Sequence, residues 1–258
     1  MELPAYAWLL DSRLEPAVLQ AMLEPYRPYR IEVNFSNGFS TRAFGDTVAY
    51  GNPTPLAKLH AFEPLIETTA RTRILDIGCH LGYYGHHFIA RGASFYCGIE
   101  VDERLFDCAK LIRTISGMSR DRLSFIHGDF GDPASEIQVQ RLGPFDVILS
   151  LASLNNILSL PAALSALAGV LAPEGTAVIE YLAAESDEAI CRFHPTGFQG
   201  DRTHHWSFSE MFLDSFLAAR GLVKTSRPLE WANEAVLGRG FKKIMSLYRR
   251  AEEGAARS

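Results

Sequence analysis

Asp76, Glu100, Asp129 and Ser150 each close a run of apolar residues, in "RILDIG", "SFYCGIE", "RLSFIHGD" and "FDVILSL". Polar tips on successive apolar runs mark side chains gathered beyond the carboxyl ends of sheet strands, where open α/β proteins bind ligands. Three of the four are carboxylates. Such groups accept hydrogen bonds from hydroxyls and amines, attract cations and repel a pyrophosphate. Glu100 follows Gly78 by twenty-two residues, at the end of the second run. An acid at that place can accept from both hydroxyls of a ribose.

The turn after Asp76, within "ILDIGCHLGYYG" (74–85), narrows the ligand. It does not match the dinucleotide fingerprint GxGxxG, since Gly78 is followed by His80 and Tyr83. The spacing Gly78, Gly82, Gly85 approaches that of short-chain dehydrogenases, but no Tyr-x-x-x-Lys pair is found to move their proton. Three features favour S-adenosylmethionine. Asp76 beside the turn suits a ligand with an ammonium and a sulfonium. In "HGDF" (127–130), Asp129 can accept from an adenine amine and Phe130 offers an apolar edge to the ring. Gly78 and Gly82 let backbone pass close to a methionine tail without a full phosphate nest.

In this order the segments resemble the class I S-adenosylmethionine-dependent methyltransferases over residues 72–181. "ILDIGCHLG" is similar to their first motif, "GIEVD" to the ribose-binding acid and "HGDF" to the adenine motif. "FDVILSLASLNNI" and "LAPEGTAVIEYL" are similar to the fourth and fifth strands. The resemblance implies a Rossmann-like α/β fold, with a seven-stranded, mostly parallel sheet and helices on both faces. It implies S-adenosylmethionine as cofactor, S-adenosylhomocysteine as product, and no metal. Carried onto this sequence, the cofactor-binding residues are Asp76, Gly78, Cys79, Gly82, Glu100, Val101, Asp129, Phe130, Ser150 and Leu151. His80 departs from the pattern, which commonly has Gly there, and its side chain is expected to point away from the methionine tail. A narrower likeness joins "FSNGFSTRAFG", "LDIGCHLGYYGHHFIARGA" and "HHWSFSEMFLDSFLAARGL" to the wobble-uridine methyltransferase-like group, which includes tRNA modifiers and small-molecule relatives. That group's Tyr-His after the fourth strand is Asn155-Asn156 here.

The acceptor side is expected from the segment after the fifth strand. His194, His204 and His205 are base candidates, because imidazole titrates near working pH. Phe198 and Trp206 supply apolar wall, and Asn155 and Asn156 can orient an acceptor; Asn155 or Asn156 could equally cap a helix. Arg42, Arg192 and Arg202 could hold an acidic acceptor. Asn/Asp-Pro-Pro-aromatic, the tetrad of nucleic-acid amino-methyltransferases, is absent at 150–156. His80, His86 and His87 lack the spacing of a zinc set, and His86 and His87 read as surface or packing residues.

Alternating strands and helices must carry these residues. Helices are expected over 14–25, 53–70, 82–91, 103–114, 161–171 and 207–219, and a hairpin over 29–51 turning at Asn37-Gly38. The organisation reads as an N-terminal helix and hairpin cap with a lead-in helix (1–70), a cofactor-binding domain (71–250) and a flexible tail (251–258). The chain of 258 residues carries a net charge of −5, which disfavours a broad nucleic-acid footprint. Its four cysteines form no CxxC pair and read as free thiols in a reducing compartment. With no signal-peptide pattern and no apolar run of membrane length, a cytoplasmic protein is expected. The function reads as methyl transfer to an O, N, S or C nucleophile of a small molecule, with a tRNA wobble-uridine modifier and a cofactor-binding regulator without transferase activity as alternatives.

Overall fold

The structure, a computed structural model, describes residues 9–27, 32–41, 54–198, 200–232 and 237–251. The far part of the hairpin expected over 29–51, Arg42 included, and the tail from 252 lie outside the described residues. The chain divides into two compact units, residues 1–71 with 79–127, and residues 72–78 with 128–258.

In the first unit, β1 (Leu9–Leu10) pairs in parallel with β2 (Asn34–Phe35), and α1 (Pro16–Leu23) lies between them in sequence. The Asn37-Gly38 turn forms as expected, with the Gly38 N–H on the Phe35 carbonyl at 3.0 Å. Helix α1 is shorter than its apolar pattern because Pro25 breaks it into a 3-10 turn, Glu24–Tyr26. The same happens in α2 (Pro55–Phe62), where Pro64 converts the end to a 3-10 turn. Then come α3 (Tyr83–Ala90), β4 (Phe95–Glu100), α4 (Glu103–Ile115) and β5 (Leu123–His127). Strands β4 and β5 are parallel, with Glu100 opposite His127. Leu10, Leu19, Leu23 and Phe35 share one apolar core with Leu81, Leu105, Cys108 and Ile112. The N-terminal elements are therefore packed onto α4 and the glycine turn by buried area, the dominant favourable term in folding.

The second unit holds β3 (Arg73–Ile77), α5 (Pro133–Leu142), β6 (Phe145–Leu151), α6 (Leu160–Val170) and β7 (Leu171–Ala184). After them come β8 (Cys191–Phe193), β9 (Trp206–Ser209), α7 (Glu210–Ala218), β10 (Leu222–Trp231) and β11 (Phe241–Arg250). The strand order is β10-β11-β7-β6-β3. The pairs β3–β6 and β6–β7 are parallel, while β7–β11 and β11–β10 are antiparallel. Val147, Ile148, Leu149 and Ser150 of β6 are all buried, so successive residues are covered on both faces of the sheet. Strand β10 mostly alternates half-buried and exposed positions and carries Pro228, as an edge strand should.

The α/β architecture with mostly parallel strands agrees with the sequence reading. Three elements differ. Helix α5 was not expected, because "PASEIQVQRL" has too few apolar residues to show a stripe; its signals are Pro133 at the first position and the Asp132 carboxylate on the Ala134 N–H at 3.0 Å. The stretch read as polar connection, 185–206, contains β8, and β9 takes up residues expected to open the last helix. These strands are too short for a period-2 pattern to register. Among the described residues no helix is long and apolar enough to cross a membrane.

Candidate active site

In the first unit, β4 ends on Glu100, which is only 7% exposed. Its carboxylate accepts from the His80 N–H at 2.8 Å and the Asp102 N–H at 3.0 Å. Asp102 also caps α4 through the Leu105 N–H, so the start of the helix and the acid are fixed together. His80 has φ of 53°, the left-handed conformation glycine takes without cost. Holding a histidine there costs on the order of 1–3 kcal/mol, and it turns the His80 N–H onto Glu100. Burial pushes the Glu100 pKa up, against the pull of backbone N–H groups at Asp102, His80 and Val101. Cys79 is buried, with its N–H on the Ile99 carbonyl, whereas Val101 is exposed and its carbonyl meets His127 Nε2 at 3.1 Å. Gly82 has φ of 72°, and a Cβ on it would stand 2.6 Å from the Phe125 ring.

In the second unit, β3 carries Asp76, buried and level with Leu149 of β6. Ser150 is fully buried, its Oγ 2.7 Å from Ser153 Oγ, and Leu151 is half-buried. Gly78 has φ of 74°, and a Cβ there would lie 2.7 Å from Ser153 Cβ. The two turn glycines are thus required by neighbouring side chains as well as by backbone conformation. Asp129 is half-buried and accepts from the Gly131 N–H at 3.0 Å, and Phe130 beside it is buried.

The same unit gathers the residues expected on the acceptor side. Asn155 is buried and donates both amide protons, to the carbonyls of Leu182 at 3.1 Å and Trp206 at 3.0 Å. Its Oδ1 accepts from the Leu182 N–H at 2.9 Å. Its own carbonyl takes the N–H groups of His205 and Trp206. The side chain therefore ties β7 to the histidine-bearing segment. Asn156 is exposed. Trp206 donates its indole N–H to the Ile157 carbonyl at 2.8 Å. The Phe198 ring lies 4.5 Å from the His194 ring, 6.2 Å from that of His204 and 5.0 Å from that of Phe241. His194 Nε2 is 2.8 Å from Ser207 Oγ, and His205 Nδ1 meets the His194 carbonyl. Burial lowers the His194 pKa, helped by the charge of Arg192. Burial also lowers that of His204; Asp201 opposes the shift, while Lys243, His194 and His205 add to it. At neutral pH the imidazoles of His194 and His204 are therefore held neutral. Arg192 and Arg202 are exposed.

His86 and His87 are buried in the first unit. The His86 pKa is pushed down to about 3 by burial and the nearby Arg113 charge. His87 bonds Glu63 at 2.8 Å and is buried rather than on the surface. Among the described residues no group of three or more His, Cys, Asp or Glu could hold a metal ion. Sequence reasoning passed over Glu180 and Lys243, whose charged groups are 3.8 Å apart, with Glu180 only 1% exposed. The readable signal was a carboxylate inside the apolar run "GTAVIEYL".

The Glu100 carboxylate, held at a strand end by two backbone N–H groups, fits an adenosine with unmodified ribose hydroxyls and is unfit for a phosphorylated one. Residues 49–227 match the family of methyltransferase domains. No curated protein matches. Among solved structures, the N-terminal domain of EvdMO1 with SAH bound is similar, with a TM-score of 0.63 at 15% identity, over 92% of this chain and 98% of that one. An O-methyltransferase from a trans-AT PKS multienzyme of Brevibacillus brevis, in complex with S-adenosyl-L-homocysteine, has a TM-score of 0.54 at 12% identity, over 70% of this chain and 67% of that one. The [4+2]-cyclase SpnF has a TM-score of 0.55 at 17% identity, over 77% of this chain and 83% of that one. Motif order and family match lead to one assignment: the chain belongs to the methyltransferase domain family and is a class I S-adenosylmethionine-dependent methyltransferase.

Proposed function

We propose that the enzyme methylates a small-molecule acceptor. The observation that carries this reading is the half-buried cluster of His194, Phe198, His204, His205 and Trp206, which joins aromatic surface to neutral imidazoles. Such a lining suits a compact organic molecule with an ionisable nucleophile. A net charge of −5 gives no electrostatic support for a tRNA substrate. The likeness to an O-methyltransferase of a polyketide multienzyme points the same way.

The cofactor supplies an already activated methyl group. The work of this chain is then alignment and exclusion of water. Glu100 orients the ribose, Asp129 and Phe130 the adenine, and Asp76 the cationic tail beside Gly78, Cys79 and Gly82. Val101, Ser150 and Leu151 complete the cofactor contacts. Asn155 holds the 205–206 segment in register with β7, and Asn156 faces the acceptor. A histidine of the 194–205 segment removes the acceptor proton.

The test is single substitution of His194, His204 and His205 by Ala, with labelled methyl transfer to a small-molecule extract and S-adenosylhomocysteine affinity measured on each variant. At least one variant should lose turnover by about 10²–10⁴-fold with cofactor affinity kept. Wild-type turnover in all three variants would refute the base role.

A further inference from the structure

Strand register places a charged pair at the level where a parallel sheet binds ligands. Glu180 of β7 is opposite Leu151, the last residue of β6, and its carbonyl accepts the Ala152 N–H. Across the antiparallel pair, Lys243 is opposite Leu182 and Phe241 is opposite Ala184. Directly opposed residues and every second residue share a face, so Glu180, Lys243 and Phe241 project from one side of the sheet. The ammonium of Lys243 is 3.8 Å from the Glu180 carboxylate, and the Lys243 side chain is 14% exposed. Phe241 packs on Phe198 with ring centroids 5.0 Å apart and planes tilted by 58°, and Phe198 in turn meets the His204 ring edge-on. The 198–204 segment thus brings an imidazole over this face, near enough for Lys243 and Asp201 to act on it by charge. Burying an ion pair is costly, and apolar residues of similar volume are often as stable or more so. This pair lies beside an aromatic, imidazole-bearing segment.

We propose that Lys243, held by Glu180, is an oxyanion-stabilising residue of the acceptor site, beside His204 as base, and that the acceptor is an aromatic hydroxyl compound. This deepens, and rests on, the small-molecule reading above. The acceptor oxygen gives its proton to the imidazole of His204 and keeps the electron pair. Lys243 stabilises the resulting phenolate. That pair forms the new oxygen–carbon bond as the carbon–sulfur bond of the methyl donor breaks and its electrons return to sulfur. Phe198 and Phe241 offer ring faces to the aromatic body. Glu180 acts through Lys243 and is a positioning residue. The charged and titratable groups acting on His204 are Asp201, which favours its cation, and Lys243, His194 and His205, which disfavour it.

The test uses 4-nitrophenol, whose ionisation is visible by absorbance and which titrates near neutrality. Millimolar dye is added to the full-length protein saturated with S-adenosylhomocysteine, and saturation is checked by calorimetry on the same sample. The wild type should increase the phenolate band at fixed pH. Lys243→Met should abolish the increase, and Lys243→Arg, which keeps the charge, should retain it. A folded wild type that binds S-adenosylhomocysteine but leaves the phenolate band unchanged overturns the assignment, as does an equal increase in Lys243→Met. Absence of S-adenosylhomocysteine binding would instead count against the cofactor reading itself.

Discussion

At the scale of single residues, Glu100 is the strand-tip acid proposed to bind the ribose, and it is tightly held. Two backbone N–H groups hold its oxygens, one delivered by a histidine in a left-handed conformation. Glu100→Ala removes a charged hydrogen-bond acceptor and should weaken S-adenosylhomocysteine binding by about 1.5–3 kcal/mol, read by calorimetry. Unchanged affinity in a folded variant would contradict the ribose role. Asn155 makes the opposite kind of prediction. Its three side-chain hydrogen bonds all end on backbone of β7 and Trp206. Asn155→Ala leaves the buried Leu182 N–H and carbonyl unsatisfied and should lower unfolding free energy by about 1–3 kcal/mol in denaturant melts. It should also speed proteolysis within 191–206. The residue types were legible in the sequence, because carboxylates at strand tips are defined by local pattern. The consumption of Asn155 by backbone was not, since its partners are 27 and 51 residues away.

At the scale of elements, helix α3 carries the first unit's sensitivity to acid. His86 is buried on it and neutral, with a folded pKa of about 3 against an ordinary 6.5. The unfolded chain therefore binds a proton at this site at higher pH than the folded one. Its contribution is fully present above pH 6.5 and is lost as pH falls from 6.5 towards 3, at up to about 1.4 kcal/mol per pH unit. The unfolding midpoint should drop across that window, and His86→Gln should flatten the drop; an unchanged pH slope in the variant would remove His86 as the cause. Long apolar strands such as β6 and the capped helix α4 could be read from sequence because burial on both faces and a cap leave local marks. Helix α5, β8 and β9 could not. Their apolar positions are few, and their partners are supplied by distant chain, as in the pairing of β9 with the end of β7.

At the scale of the whole molecule, the family match covers residues 49–227, and the likeness to SpnF warns that one fold serves different chemistries. Function therefore rests on the residues, and the acidic balance of the chain and the aromatic, imidazole-bearing cluster are what support the proposed small-molecule acceptor. The most direct measurement follows the methyl group. Purified enzyme is given S-adenosylmethionine labelled on that methyl, together with an extract of the source organism, and the extract is then separated into small-molecule, nucleic-acid and protein fractions. Enzyme-dependent label in the small-molecule fraction is the expected result. Label confined to the nucleic-acid fraction, or S-adenosylhomocysteine binding with no transfer to any fraction, would contradict it.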